Sequence, residues 1–174
     1  MNEAIKKNMM FISSEDFYLL TYSVLIILDC LGCTKGREFK DYRKLPFIVE
    51  LISNRKHILT LESSAPERLH KNDKDFLFQS YADGLAKRSE TLKILFTLER
   101  KGYVTLQQGS IESLVNITLN KENLPKGFLS KNVFNSEYEN CAKFKAAIQR
   151  TTSLSLETFL GKVYRDKGVK IWEV

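Results

Sequence analysis

No apolar run in this sequence is long enough to span a membrane. The longest, Val24-Leu-Ile-Ile-Leu28, lies between Ser23 and Asp29, far short of the roughly 20 residues that a helical span requires. The first residues, Met1 to Asn8, are polar and of mixed charge and lack the apolar core of a secretory leader. Cysteine is scarce: three in 174 residues, an odd number that gives no disulfide framework. These absences predict a cytoplasmic protein without membrane contact. Histidine is scarcer still, and both copies, His57 and His70, fall in a stretch without clear periodicity or an obvious carboxylate or nucleophile beside them. No G-x-S-x-G, Walker A, H-E-x-x-H or dinucleotide-binding fingerprint is present. Neither a catalytic function, a cofactor, a small-molecule substrate nor a metal site is expected. The spacing Cys30-Leu-Gly-Cys33 could begin a zinc or redox site. However, zinc needs four ligands, and Cys141, His57 and His70 are not at paired spacing. A redox motif would want a βαβ context that is missing, so these thiols read as buried and inert. There is no internal repeat and no low-complexity segment.

The composition is that of an ordinary folded domain, with 43% hydrophobic and 28% charged residues. Lys and Arg number 27 against 21 Asp and Glu, a formal net charge of +6. That balance suits an acidic partner such as nucleic acid without requiring one.

The segment from Arg88 to Leu106 carries most of the fold information. An apolar helix, Ser89 to Lys101, has Ser89 as cap and Leu92, Leu95, Phe96 and Leu98 as core candidates. It stops at Gly102, where a left-handed residue commonly ends a helix. A strand, Tyr103 to Leu106, follows directly. After a polar turn holding Gly109 comes a second strand, Leu114 to Leu119, in which Val115, Ile117 and Leu119 alternate with Asn116 and Thr118. Helix, glycine stop, strand, turn and strand form the end of a winged helix-turn-helix, a fold that either reads DNA or docks on protein.

Around this core the spacing predicts further helices. The first starts at caps in Ser13-Ser-Glu-Asp16 and runs to about Leu31, buried on more than one side through Phe17, Leu20, Val24, Leu25, Ile26, Ile27 and Leu28. A second covers Leu45 to Asn54 with Pro46 in its first turn. Residues 55–73 read as a connector, with a short helix or strand near Ile58 to Leu61. A third helix, capped by Asp73 or Asp75, reaches Ala86. Two more run from about Ser136 to Arg150 and from Ser155 to Lys167. The expected fold is mainly α with a small β-wing (α+β), a winged helix-turn-helix core with additional N- and C-terminal helices. It divides into N-terminal helices and connector (1–72), winged core (73–120) and C-terminal helical extension (121–174) within one unit.

Two basic groups are candidate contacts for a DNA backbone. One is Lys35, Arg37, Lys40, Arg43 and Lys44; the other is Lys87, Arg88, Lys93, Arg100 and Lys101 around the helix that would enter a groove. A base-reading helix offers several polar side chains suited to base edges. This one presents Glu90, Thr91, Lys93, Thr97 and Arg100, with no Asn or Gln. The wing, Gln107-Gln-Gly-Ser-Ile-Glu-Ser113, has no cation at all, although phosphate neutralisation supplies much of DNA affinity. Docking on protein is therefore favoured over free-standing DNA reading.

The order of elements resembles the middle components of bacterial ABC-three-component defence systems, and within them is most similar to the small accessory subunit of Lamassu-type systems. The residues that carry the resemblance are the first apolar helix (Tyr22 to Leu31), Lys44-Leu-Pro-Phe-Ile-Val-Glu-Leu-Ile-Ser-Asn54, Tyr81-Ala-Asp-Gly-Leu-Ala-Lys-Arg88, Leu95-Phe-Thr-Leu-Glu-Arg-Lys-Gly-Tyr-Val104 and Leu154-Ser-Leu-Glu-Thr-Phe-Leu-Gly-Lys-Val-Tyr164. The resemblance implies a non-catalytic subunit docked on an SMC-like ATPase, in a complex that senses phage or plasmid DNA and controls an effector such as a nuclease. DNA would be met through that complex. The alternative from the residues alone is a winged-helix transcription regulator.

Overall fold

The first helix, α1 (Glu3–Cys30), is the spine of the molecule: Val24 to Leu28 are all fully buried, so neighbours surround that stretch on every side. The computed structural model describes residues 3–63 and 69–172, with side chains from residue 17 onward. The helix begins at Glu3 rather than near Ser13; the side chains of the expected caps lie outside the described residues. Strand-like pairing comes next. Phe39 and Ile117 exchange both backbone hydrogen bonds (2.8 and 2.9 Å), and Leu119 N–H donates to Cys33 O at 2.7 Å.

A 3-10 turn, Tyr42–Lys44, leads into α2 (Leu45–Ser53), in which every residue from Leu45 to Ile52 is buried and Pro46 occupies the first turn. In the stretch read as a connector, the short element expected near Ile58 to Leu61 is a helix and is longer, α3 (Arg55–Glu62). Asn54 caps it by accepting from Lys56 N–H at 2.9 Å, and Lys167 Nζ binds the carbonyls of Leu61 (2.9 Å) and Ser63 at its other end. Part of that connector, residues 64–68, lies outside the described residues.

Helix α4 (Lys71–Ala86) starts before both acids expected to cap it; Asp73 sits in its first turn, where it complements the helix dipole. It packs closely on α2 at Gly84, where a Cβ would lie 2.6 Å from Phe47 Cδ1 and 3.2 Å from Phe47 Cα. A single residue, Lys87, separates α4 from α5 (Arg88–Arg100), so Ser89 is already inside the helix and caps nothing. Gly102 ends α5 with φ +74°, and its carbonyl accepts from Asn120 (3.0 Å) and Asn123 (2.8 Å).

The hairpin that follows pairs β1 (Val104–Gln108) antiparallel with β2 (Val115–Leu119), with Leu106 opposite Ile117. Ile117 and Leu119 face the core. Both outer edges are engaged: Phe39 pairs with β2, and the Glu99 carboxylate accepts from Leu106 N–H of β1 at 3.0 Å. Helices α6 (Asn135–Ala147) and α7 (Leu156–Val163, capped by Ser155) follow; a separate 3-10 turn, Arg165–Lys167, ends what reads in sequence as one helix.

The fold is mainly helical with this small antiparallel sheet. One buried apolar cluster runs from Leu20 to Val169 and draws residues from all three stretches of the chain. Among the described residues, no helix is long and apolar enough to cross a membrane.

Candidate docking and nucleic-acid interface

Helix α5 buries Thr91, Ile94, Leu95 and Leu98, a clean i, i+3, i+4, i+7 stripe. Its opposite face presents Lys93, Phe96, Thr97, Arg100 and Lys101. Phe96, expected in the core, is instead 51% exposed, because position 96 lies off the stripe that Thr91 completes. Thr91 replaces it in the core: its hydroxyl donates to Lys87 O at 2.8 Å, which makes a polar residue acceptable there.

Beside this face, α5 and α1 enclose a groove of about 190 Å³ lined by Phe17, Tyr18, Tyr22, Ile94, Lys101 and Tyr103, with Phe128 across it. Tyr22 stacks between Phe128 and Phe134, at 4.8 Å from each ring, and Tyr18 is 63% exposed. The result is an aromatic groove with one cation, Lys101, in its lining.

The first basic group lies on the segment that pairs with β2 through Phe39, and the second lies on α5 and its two ends. Among the described residues, Lys35, Arg37, Lys40, Arg88, Lys93, Arg100 and Lys101 are in no ion pair. Three of the expected cations are otherwise engaged. Arg43 makes a bidentate pair with buried Asp41 at 2.8 and 2.7 Å, and Lys87 binds Glu50 at 2.6 Å. Lys44 cannot meet a phosphate at all: it is fully buried, and its Nζ donates to Thr151 O and Leu154 O, each at 2.7 Å. Burial draws its pKa down to about 8, which leaves the ammonium largely charged at neutral pH.

The turn of the hairpin, the Lys40–Arg43 segment and the start of α7 enclose a cleft of about 670 Å³. Arg165 joins Lys40 and Arg43 there, unforeseen because it is over a hundred residues away in sequence. Asp41 and Glu157 share the same cleft, and Arg165 lies 3.9 Å from Glu157. Acids offset bases, so this is a poor phosphate site. At the tip of the hairpin, Ile111 is 62% exposed.

His57 lies buried on α3, stacked on Phe76 at 4.3 Å with Nδ1 3.0 Å from Glu50 O, and burial lowers its pKa. Among the described residues no group of three His, Cys, Asp or Glu is placed to hold a metal ion.

Compared with known proteins, the chain matches no family model, no curated protein and no solved structure.

Proposed function

We propose that this chain is a non-catalytic docking subunit built on a winged helix-turn-helix, and that it joins an SMC-like ATPase in a bacterial complex acting against phage or plasmid DNA. The observation that carries the docking reading is the exposed face of α5. It places Phe96 among Lys93, Arg100 and Lys101, next to the aromatic groove against α1. An exposed aromatic flanked by cations suits an acidic, partly apolar protein surface. The wing, with Ile111 at its tip and no Lys or Arg, fits the same use. The winged reading draws on the pairing of Phe39 with Ile117, which sets a strand segment between the first helix and the later helices against the last strand. The ATPase partner and defence role rest on the resemblance in the order of elements.

Co-expression with the products of adjacent genes should recover this chain bound to an ATPase subunit. Phe96→Asp together with Lys93→Glu should reduce that recovery by at least tenfold while leaving the thermal midpoint within a few degrees of the parent. Both side chains are exposed, so folding is little affected. Recovery of the chain alone under these conditions counts decisively against the proposal.

The cations on α5, in no ion pair among the described residues, favour a second reading, a DNA-binding regulator. On that reading Arg88→Ala, Lys93→Ala and Arg100→Ala each weaken duplex binding, and the slope of log affinity against log salt falls by about one per contact removed. An isolated protein that leaves duplex DNA unshifted at low salt eliminates it.

A further inference from the structure

The cleft of about 670 Å³ between the hairpin turn, the Lys40–Arg43 segment and the start of α7 shares no lining residue with α5 or the aromatic groove. Its volume falls in the range of small-ligand sites. Arg43 stands in its lining. The Nε and Nη2 of Arg43 donate to the Asp41 carboxylate at 2.8 and 2.7 Å, which fills one edge of the planar fork. The other edge, made by Nη1 and the second hydrogen of Nη2, has no protein acceptor among the described residues. Such an edge matches a carboxylate through two parallel hydrogen bonds. We propose that this cleft binds a carboxylate with an apolar body, and that Arg43 receives the carboxylate on its unpartnered edge.

Asp41 holds Arg43 in place. It is 4% exposed, its carboxylate also accepts from Arg43 N–H at 3.2 Å, and its own N–H donates to Asn116 Oδ1 at 3.2 Å. Its backbone has φ +64° and ψ +94°, a conformation sparsely populated outside glycine and often found where a side chain is held for binding. Leu154, also in the lining, is fixed by the bond from Lys44 Nζ to its carbonyl at 2.7 Å. The guanidinium is therefore ordered before any ligand arrives, which lowers the entropic cost of binding.

Charge selects the class of ligand. The cleft holds three cations, Lys40, Arg43 and Arg165, against two acids, Asp41 and Glu157. A single carboxylate brings it to neutrality, whereas a phosphate monoester, at about −1.5 to −2 charges, leaves it negative. Arg165 meets Glu157 only at 3.9 Å, beyond hydrogen-bond length, and so keeps donors for the ligand. Leu114, Leu154, Leu156 and Leu160 supply apolar lining for the rest of the molecule. A free small carboxylate and an acidic side chain on a partner's peptide offer this same chemistry.

The test titrates the full chain with isocaproate and with the capped peptide acetyl-Leu-Glu-Leu-amide, read by amide NMR. Isocaproamide and acetyl-Leu-Gln-Leu-amide are the neutral controls. The acids should shift the amides of Arg43, Asn116 and Leu154, and the controls should not. Tighter binding of the peptide assigns the ligand to a partner protein; tighter binding of isocaproate assigns it to a free carboxylate. Arg43→Gln should weaken the acids by about tenfold or more, as expected for a hydrogen-bonded charge. Glu157→Gln removes an opposing charge and should tighten them by about two- to threefold. A thermal melt shows whether Arg43→Gln is folded, and the Glu157 variant, whose side chain is 79% exposed, decides the matter if it is not. Cleft amides unmoved by millimolar acid, controls that bind as well as the acids, or unchanged affinity in folded Arg43→Gln overturn the proposal. So does a Glu157→Gln affinity that fails to rise.

Discussion

Lys44→Ala is expected to lower stability by about 3–5 kcal/mol, because it leaves buried carbonyls without their charged donor and a cavity where a long side chain lay. The ammonium lies at the centre of a set of carbonyls: Thr151 O and Leu154 O at 2.7 Å and Thr152 O at 3.5 Å. It also sits 4.8 Å from the centre of the Phe39 ring. Removing it strips the buried Thr151 carbonyl of a charged donor, at about 1–3 kcal/mol for such a group, and opens a void where the aliphatic stem lay. Lys44→Met separates these contributions, because it keeps most of the stem and loses only the donor; it should recover about 1 kcal/mol or more of the loss. The loop between α6 and α7 is what Lys44 holds, so limited proteolysis should cut first between Ile148 and Ser155 in either variant. Urea denaturation measures the stability change, and an alanine variant within about 0.5 kcal/mol of the parent would show that this ammonium contributes little.

Gly84→Ala should destabilise by about 1–2 kcal/mol, opposite in sign to its effect on an isolated helix. In a free helix the exchange gains about 1 kcal/mol. Here the new methyl meets Phe47 at its ring and at its Cα, and overpacking of this kind costs about 1–3 kcal/mol. The ring cannot swing aside: Tyr81 stacks on it at 5.7 Å and Tyr164 meets it edge-on at 6.3 Å. Gly84→Val, with two more methyl groups against the same wall, should lose about 3 kcal/mol. Thermal melts of the two variants give the order, and a stabilised alanine variant would mean that α2 and α4 part easily.

Much of this arrangement is legible in the sequence, and what is not has identifiable physical causes. The passage from α5 through Gly102 to the hairpin is written in local signals: helical spacing, a residue free to adopt positive φ, and period-two alternation in β2. Pro46 likewise marks the start of α2. Helix starts are harder to place, because α4 and α5 begin without side-chain caps and Lys87 alone joins them. The segment around Phe39 escapes notice because only one residue pairs fully with β2, too little for an alternating pattern. In the candidate interface, Lys93, Arg100 and Lys101 lie on the surface as expected. Lys44 does not, since its acceptors are carbonyls more than a hundred residues away that no composition rule can bring to it. Phe96 is misread for another reason: hydrophobicity argues for burial while its angular position on α5 argues against.

The Glu99 carboxylate on Leu106 N–H has a bearing on how any partner can approach. Exposed strand edges invite other chains to add a strand, productively in peptide recognition and harmfully in aggregation. In this hairpin one edge is paired with Phe39 and the middle of the other is occupied by Glu99. An incoming strand would have to evict a carboxylate and leave its charge beside the new backbone. Recruitment by strand addition is thereby disfavoured on both sides, in keeping with the proposal that docking uses the helical surface of α5. Glu99→Ala would lift that restriction, leaving a small sheet free to grow by one strand.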